Sequence, residues 1–411
     1  MSLVGVAAKR IVTCDPARIT KDNPLGTIED GVILYDQHSF SWVGPRASAG
    51  ANVPIIDHGD RVITPGLVDA HTHAAWVGSR HDEYVMRMAG ASYLDIAAAG
   101  GGIVASHNAV MNASEEEIEQ TLAARLKRMA SLGVTTCEVK SGYGLEPEGE
   151  RKQLRAIARV REERDLPHVV PTFLALHALP KSAKASRDHY VLRAATTLLQ
   201  EFASAKLCEF VDAYVDKNAF TVDEARLVCE SAKKLGLGVR LHVGQFADVG
   251  GAELAAEVGA RSVDHLENVS DKGIAALAKA GVSAVLLPTA SFTLGQEPPP
   301  VERLRAAGIP MVVASDANPG TAPTESLPLA MALAVRLYGL TPAETILGAT
   351  RLAAASLGLW GSVPHPRGAI APGARADFVV WDLPHENAIV QPWGSPKTLL
   401  VLRDGVCIGR S

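Results

Sequence analysis

Through the middle of the chain, short apolar runs alternate with stretches whose apolar positions recur every three to four residues. The short runs, bounded by turn residues, read as buried strands; the longer period reads as helices with one buried face. The runs fall at 66–70, 134–139, 169–174, 210–215, 238–241, 262–264, 284–287 and 311–314. Helical stretches such as 114–132, 148–164 and 223–235 separate them. Strands that alternate with helices predict a parallel sheet. Eight βα units close naturally into a TIM-type (β/α)8 barrel, whose chemistry sits where the strands end. A doubly wound open sheet is the competing architecture, but no Gly-x-Gly-x-x-Gly or P-loop follows the first strand.

Toward both ends the pattern changes to short strands broken by turns. They fall at 10–13, 31–35 and 40–43, and again at 377–381 and 399–402, the last followed by an Asp404-Gly405 hairpin turn. Neither end is long enough for a core of its own. The expectation is one small composite β-sandwich domain shared by 1–64 and 366–411, with the α/β barrel over 65–365.

Composition adds little to this picture. Of 411 residues 47% are apolar and 21% charged, ordinary values for a soluble globular chain. A formal net charge of −5 gives no reason to expect nucleic acid or an anionic membrane as partner. No apolar run reaches membrane-spanning length. Met1-Ser2-Leu3-Val4-Gly5-Val6 lacks the basic start and long apolar core of a secretory signal, so a cytoplasmic location is expected. Cys14, Cys137, Cys208, Cys229 and Cys407 are scattered without Cys-x-x-Cys spacing and read as buried thiols in a reducing compartment.

Candidate chemistry sits at the strand ends. Thr64-Pro65-Gly66-Leu67-Val68-Asp69-Ala70-His71-Thr72-His73 is an apolar strand entered through a Pro-Gly turn and closed by two histidines one residue apart. Side chains at i and i+2 share a face, so His71 and His73 aim two imidazoles at one point. The fifth strand ends at His242, the sixth at Asp264-His265 and the eighth at Ser315-Asp316. Singly, each can be a hydrogen-bonded core residue or a helix cap. Falling together at one rim, they read as a joint site. A mononuclear hydrolytic centre needs three or four N/O ligands and an open position for water. His71, His73, His242 and Asp316 supply that set for one divalent metal per chain. Zinc suits it, with iron (Fe2+/Fe3+) or manganese as the other fits. His265 stands outside the ligand shell, able to hold the water, and Asp316 can carry the proton.

These residues, with Gly373-Ala374-Arg375-Ala376-Asp377-Phe378-Val379-Val380-Trp381 near the end, resemble the metal-dependent amidohydrolase superfamily over the whole chain. The resemblance implies a distorted barrel with its metal at the C-terminal face. Longer strings narrow it to the imidazolonepropionase family: Lys140-Ser141-Gly142-Tyr143-Gly144-Leu145, Ala175-Leu176-His177-Ala178-Leu179-Pro180, Gly250-Gly251-Ala252-Glu253-Leu254-Ala255, Ser262-Val263-Asp264-His265-Leu266 and Ser315-Asp316-Ala317-Asn318-Pro319-Gly320-Thr321. That resemblance implies hydrolysis of the cyclic amide of 4-imidazolone-5-propanoate to N-formimidoyl-glutamate. It implies the metal on His71, His73, His242 and Asp316, and the substrate carboxylate on Arg80 with Tyr93 and Tyr143 nearby. It further implies His177 against the substrate, and Asn318, Gly320 and Thr321 at substrate or product. A homodimer is implied by the resemblance alone. An arginine fork suits a propionate tail on independent grounds.

Some relatives carry glutamate three residues after the fifth-strand histidine, where this chain has Gln245. An amide cannot exchange protons, but it both donates and accepts hydrogen bonds. Proton transfer then falls to His265 and Asp316. Lys140 reads as a structural or ion-paired lysine, and the fourth strand, 210–215, lacks the lysine a binuclear hydantoinase-like centre would carboxylate. The rival readings are an aminohydrolase acting on a purine or pyrimidine, and a non-catalytic scaffold that has kept the barrel.

Overall fold

Eight strands supply the first sheet, drawn from both ends of the chain: β1 (Val4–Ile11), β2 (Ile28–Tyr35), β3 (Phe40–Pro45), β4 (Ile55–Asp57) and β5 (Val62–Pro65), then β14 (Phe378–Trp381), β15 (Thr398–Arg403) and β16 (Val406–Gly409). Between them run the barrel strands β6 (Leu67–Asp69), β7 (Val134–Lys140), β8 (His168–Leu176), β9 (Phe210–Val215), β10 (Gly238–Val243), β11 (Ser262–His265), β12 (Ser283–Leu286) and β13 (Met311–Val313). The computed structural model describes residues 3–50, 53–91, 95–96, 99–393, 395 and 397–410.

The first sheet runs β16-β15-β14-β5-β1-β2-β3, with β4 added beside β1. Its seam is β5 against β14, antiparallel with Ile63 opposite Val380, which joins the two chain ends. Val6, Ala8, Ile11, Ile33, Phe40, Ile63, Phe378, Val380 and Leu402 bury one face of it in a common core. The composite unit is keyed to the barrel by Arg403 Nη1, which donates to the Leu166 and Glu163 carbonyls, and by Thr398 Oγ1 donating to Ser131.

All neighbours in the second sheet are parallel, in sequence order from β6 to β13. A parallel bridge from Thr72 to Ala317 brings its two edges together. The eight expected strands are all present. The helices Glu115–Ser131, Pro147–Arg161 and Val222–Lys234 match the expected ones to within a few residues. Along each barrel strand the outward positions (Val211 and Ala213, Val239 and Leu241, for instance) pack on the helix layer. Inward positions divide by height. Val68, Val170, Phe210, Val285 and Val312 fill the lower interior with apolar bulk, whereas Glu138, Lys140, Asp212, Arg240 and Asp264, all fully buried, fill the upper one with charge.

Pro65-Gly66, expected as a turn, proves to be a straight passage. Pro65 closes β5, Leu67 opens β6, and Gly66 is the step between the two sheets. Gly66 N–H donates to Asp377 in the composite sheet, while Leu67 N–H donates to Gly133 in the barrel. A Cβ on Gly66 would run into the Thr135 side chain. Four of the five cysteines are buried and free as expected, but Cys407 is exposed, on the edge strand β16. No described helix is long and apolar enough to cross a membrane.

Candidate active site

His71 and His73 follow β6, His242 is the penultimate residue of β10, and Asp316 follows β13 in a left-handed conformation (φ +56°). His265, at the end of β11, is also left-handed (φ +83°). Such backbone costs a non-glycine residue on the order of 1–3 kcal/mol, and it turns these side chains into the mouth of the barrel. The chain holds them there by main-chain bonds: Asp316 N–H donates to His71 and His73 N–H to Ala317.

Donor atoms of His71, His73 and His242 lie within 4.8 Å of one another. Asp316 Oδ1 is 3.4 Å from His71 Nε2 and 3.5 Å from His73 Nε2, and His242 Nε2 is 3.4 Å from His73 Nε2. Behind this ring stand carboxylates. His71 Nδ1 lies 2.7 Å from Asp264 Oδ2, and His242 Nδ1 lies 3.0 Å from Asp212 Oδ2. A carboxylate accepts, so His71 Nδ1 carries the hydrogen and its Nε2 keeps its lone pair for the centre. His242 Nδ1 is near Asp212 without hydrogen-bond geometry, and its Nε2 faces His73. His71 Nε2 is buried without a hydrogen-bond partner, an expensive state for an isolated imidazole and a suitable one for a ligand. The donor set therefore fits a divalent metal.

Protonation supports the same use. Burial, reinforced by Lys140 and the neighbouring histidines, holds His71 well below the ordinary imidazole range. Burial, with His177 and His242, does the same for His73. A metal needs the neutral ring. Burial pushes the Asp316 carboxyl up to about 7, against the opposing pull of His265. For His265 burial favours the neutral ring, but the nearby Glu267 carboxylate, with Asp316 and Asp264, outweighs it and raises the pKa. His265 Nδ1 stands 3.7 Å from Glu267 Oε1, beyond hydrogen-bond reach, and that oxygen accepts from Ser291 Oγ at 2.7 Å.

A pocket opens above this ring, lined by Tyr143, His177, Gln245, Asn318, Thr321 and Arg80. His177 Nδ1 is 2.8 Å from the Gly142 carbonyl, so it donates there and turns Nε2 toward the pocket as an acceptor. Burial lowers its pKa to about 4. Gln245 Oε1 accepts from Tyr214 Oη at 2.8 Å, which leaves the amide N–H2 as the group to be offered. Asn318 works mainly on its own loop, accepting from Gly320 and Thr321 N–H and donating to the Asp316 carbonyl. Gly320 lies behind the lining, packed so closely on the Arg80 guanidinium that a Cβ would collide with it. Arg80 itself is gripped by Glu83 through Nε (2.9 Å) and Nη2 (2.6 Å). Tyr93 lies outside the described residues.

The profile of the amidohydrolase family matches residues 62–407. Imidazolonepropionase of Polaromonas sp. (strain JS666) is 41% identical over 395 residues, covering 95% of this chain and 92% of that protein. The chain belongs to the amidohydrolase family, on its imidazolonepropionase branch. Imidazolonepropionase of Geobacillus kaustophilus is 40% identical over 94% of this amidohydrolase and 91% of its own length. Among solved structures, guanine deaminase of E. coli superposes with a TM-score of 0.71 at 16% identity, over 100% of both chains. Triazine hydrolase from Arthrobacter aurescens gives 0.73 at 16%, over 100% of this chain and 95% of its own. At such low identity these two establish the shared fold.

The amidohydrolase site also contains residues that strand-end reasoning passes over. Glu138, Asp212 and Arg240 lie mid-strand, and Lys140, its Nζ 2.9 Å from both Glu138 and Asp212, is ion-paired as expected. Burial opposes the Lys140 charge, but Asp212 and Glu138 outweigh it and raise the pKa. Glu150 and Gln153, one turn apart on helix Pro147–Arg161, take up the N–H groups of residues 142 to 145. The sequence signal for the mid-strand group is charge at alternating positions inside otherwise apolar strands, as in Glu138-Val139-Lys140; Glu150 and Gln153 carry no such signal.

Proposed function

We propose that this chain hydrolyses the ring amide of 4-imidazolone-5-propanoate to N-formimidoyl-L-glutamate, using one divalent metal held by His71, His73, His242 and Asp316. The observation that carries the reading is identity of about 40% to imidazolonepropionases across nearly the whole length of both chains. The polar pocket above a ring of metal-competent donors gives it a chemical basis. Three imidazoles and a carboxylate suit Zn2+ best, with Fe2+/Fe3+ next. When bound, such an ion supplies a water of lowered pKa and a Lewis acid for the ring carbonyl.

The protein residues divide the remaining work. Arg80, with Tyr93 and Tyr143, binds the propionate. His177, neutral and presenting Nε2, accepts a ring N–H, and Gln245 donates to a ring acceptor. Asn318, Gly320 and Thr321 shape the wall that faces substrate and product. Asp316 takes a proton from the attacking water. The carbonyl carbon gains oxygen, and His265 steadies the negative charge that builds on the carbonyl oxygen. Asp316 then returns the proton to the ring nitrogen as the C–N bond breaks. The reading extends to a homodimer in the cytoplasm.

The test is direct assay of freshly prepared imidazolone propionate with the metal-loaded protein and with Asp316→Asn. Wild type should consume substrate and release N-formimidoyl-glutamate, and a general acid–base role predicts a loss of at least about 10²–10⁴ in kcat for the variant. Full activity in Asp316→Asn removes the proton-carrier role. No hydrolysis by the loaded wild type, with turnover of a purine or pyrimidine instead, replaces the reading by the deaminase one.

A further inference from the structure

The charged upper layer of the barrel has a geometry that charge balance alone does not require. Lys140 Nζ sits 2.9 Å from Glu138 Oε1, 2.9 Å from Asp212 Oδ2 and 3.8 Å from Asp264 Oδ2. All four side chains are fully buried. Asp212, His242 and Asp264 also form a second group whose donor atoms lie within 4.8 Å of one another, directly behind the first. With His242 Nε2 facing the first ring, the carboxylates of this second group are what remain, and an ammonium already lies among them. Arg240 is the other cation of this layer. It spends Nη2 on the Ala70 carbonyl at 2.7 Å and stays 3.5 Å from Asp264. Three carboxylates face two fixed cations, so loss of Lys140 would leave two negative charges unbalanced. That is the charge of one divalent ion.

We propose that Lys140 is a resident cation that fills a second metal position between Glu138, Asp212 and Asp264, and so confines the chain to one metal. This inference rests on the one-metal reading above but is judged by a difference between variants. From its place Lys140 also fixes Asp212 and Asp264, the two carboxylates against which His242 and His71 are oriented. It acts through them as a positioning residue and does not touch the substrate. A lysine does this more specifically than a bound ion would. Its charge cannot exchange with solvent, and the strand dictates where it sits. A buried carboxylate cluster without such a cation would be strongly destabilised or would recruit one.

The experiment compares wild type, Lys140→Ala and Lys140→Met after equilibration with excess Mn2+ and removal of loosely held ion. Metal per chain is read by elemental analysis, and ion–ion coupling by electron paramagnetic resonance. Wild type should hold one ion. Lys140→Ala, which opens both charge and space, should hold one more, with coupled spectra, and Lys140→Ala/Asp212→Asn should lose the extra ion. Lys140→Met removes the charge but keeps the bulk, and should gain none. A second ion in wild type overturns the proposal, as does a folded Lys140→Ala with no gain. Lys140→Ala that stays unfolded with both equivalents of Mn2+ present also counts against it, because the incoming ion should restore the balance. If wild type holds no metal and hydrolyses no imidazolone, the functional reading fails. The change in ion number from wild type to Lys140→Ala still decides the role of Lys140.

Discussion

Glu150 shows how a side chain that never reaches the pocket can shape it. Its two oxygens accept from Gly142 N–H at 3.0 Å and Leu145 N–H at 2.6 Å. Gln153 accepts from Tyr143 and Gly144 N–H, and its own amide donates to Ala75. Gly142 is left-handed (φ +103°), a conformation glycine adopts without strain, and its carbonyl sets the tautomer of His177. Burial pushes Glu150 from 4.5 up to about 7. Between those values the folded state keeps a proton that the unfolded state has released, so stability falls as pH rises through the window and levels off above it. Glu150→Gln removes that titration. The stability of wild type relative to the variant should therefore drop by up to ~3 kcal/mol from pH 5 to pH 8, measured by urea melts at both values. A difference that is flat with pH would place the Glu150 pKa near its ordinary value. Arg80→Lys loses the planar fork against Glu83 and Gly320 and should raise KM for the imidazolone about 10–100-fold with a smaller change in kcat. The ligand-type residues were legible because His-x-His and Ser-Asp stand at strand ends. Glu83, Glu150, Gln153 and Glu267 were not, because each acts on a neighbour brought close only by folding.

Elements were easier to read than their junctions. Apolar runs bounded by turn residues marked all eight barrel strands, since a strand buried on both faces must be apolar outward whatever it carries inward. β1 begins well before the expected 10–13, at Val4, because the small residues Gly5, Ala7 and Ala8 pair with β2 without advertising themselves as strand formers. The Pro65-Gly66 step misled for a related reason. Its turn chemistry is real in isolation, but the β14 and β7 neighbours on either side draw it straight. Gly66→Ala should cost about 1–3 kcal/mol from the clash with Thr135, seen as a lower Tm. Because Gly66 stands five residues before His71, the same variant should weaken metal retention. An unchanged Tm would mean that the two sheets part at this point without strain.

At the scale of the molecule, the proposed metal centre and the fold draw on the same residues, at the ends of β6, β10 and β13 across the barrel. An ion that binds the folded chain alone raises its stability by about 2.7 kcal/mol at a free concentration of 100 times Kd. Chelation should therefore lower Tm, and Zn2+ should restore it in a concentration-dependent way, with Asp316→Asn responding less. A Tm indifferent to metal would exclude the four-residue centre. The composite sheet carries a consequence in time. Thr64 on β5 pairs with Val379 on β14, so at roughly 5–20 residues per second the ribosome needs about 15–60 s to deliver the partner. For that interval the strand leading into His71 has one edge open and Gly66 lacks its Asp377 acceptor. A nascent chain stalled or cleaved before the last strands would hold all four proposed ligands but lack the β14 partner of β5. Completion of synthesis is then itself a checkpoint on activity.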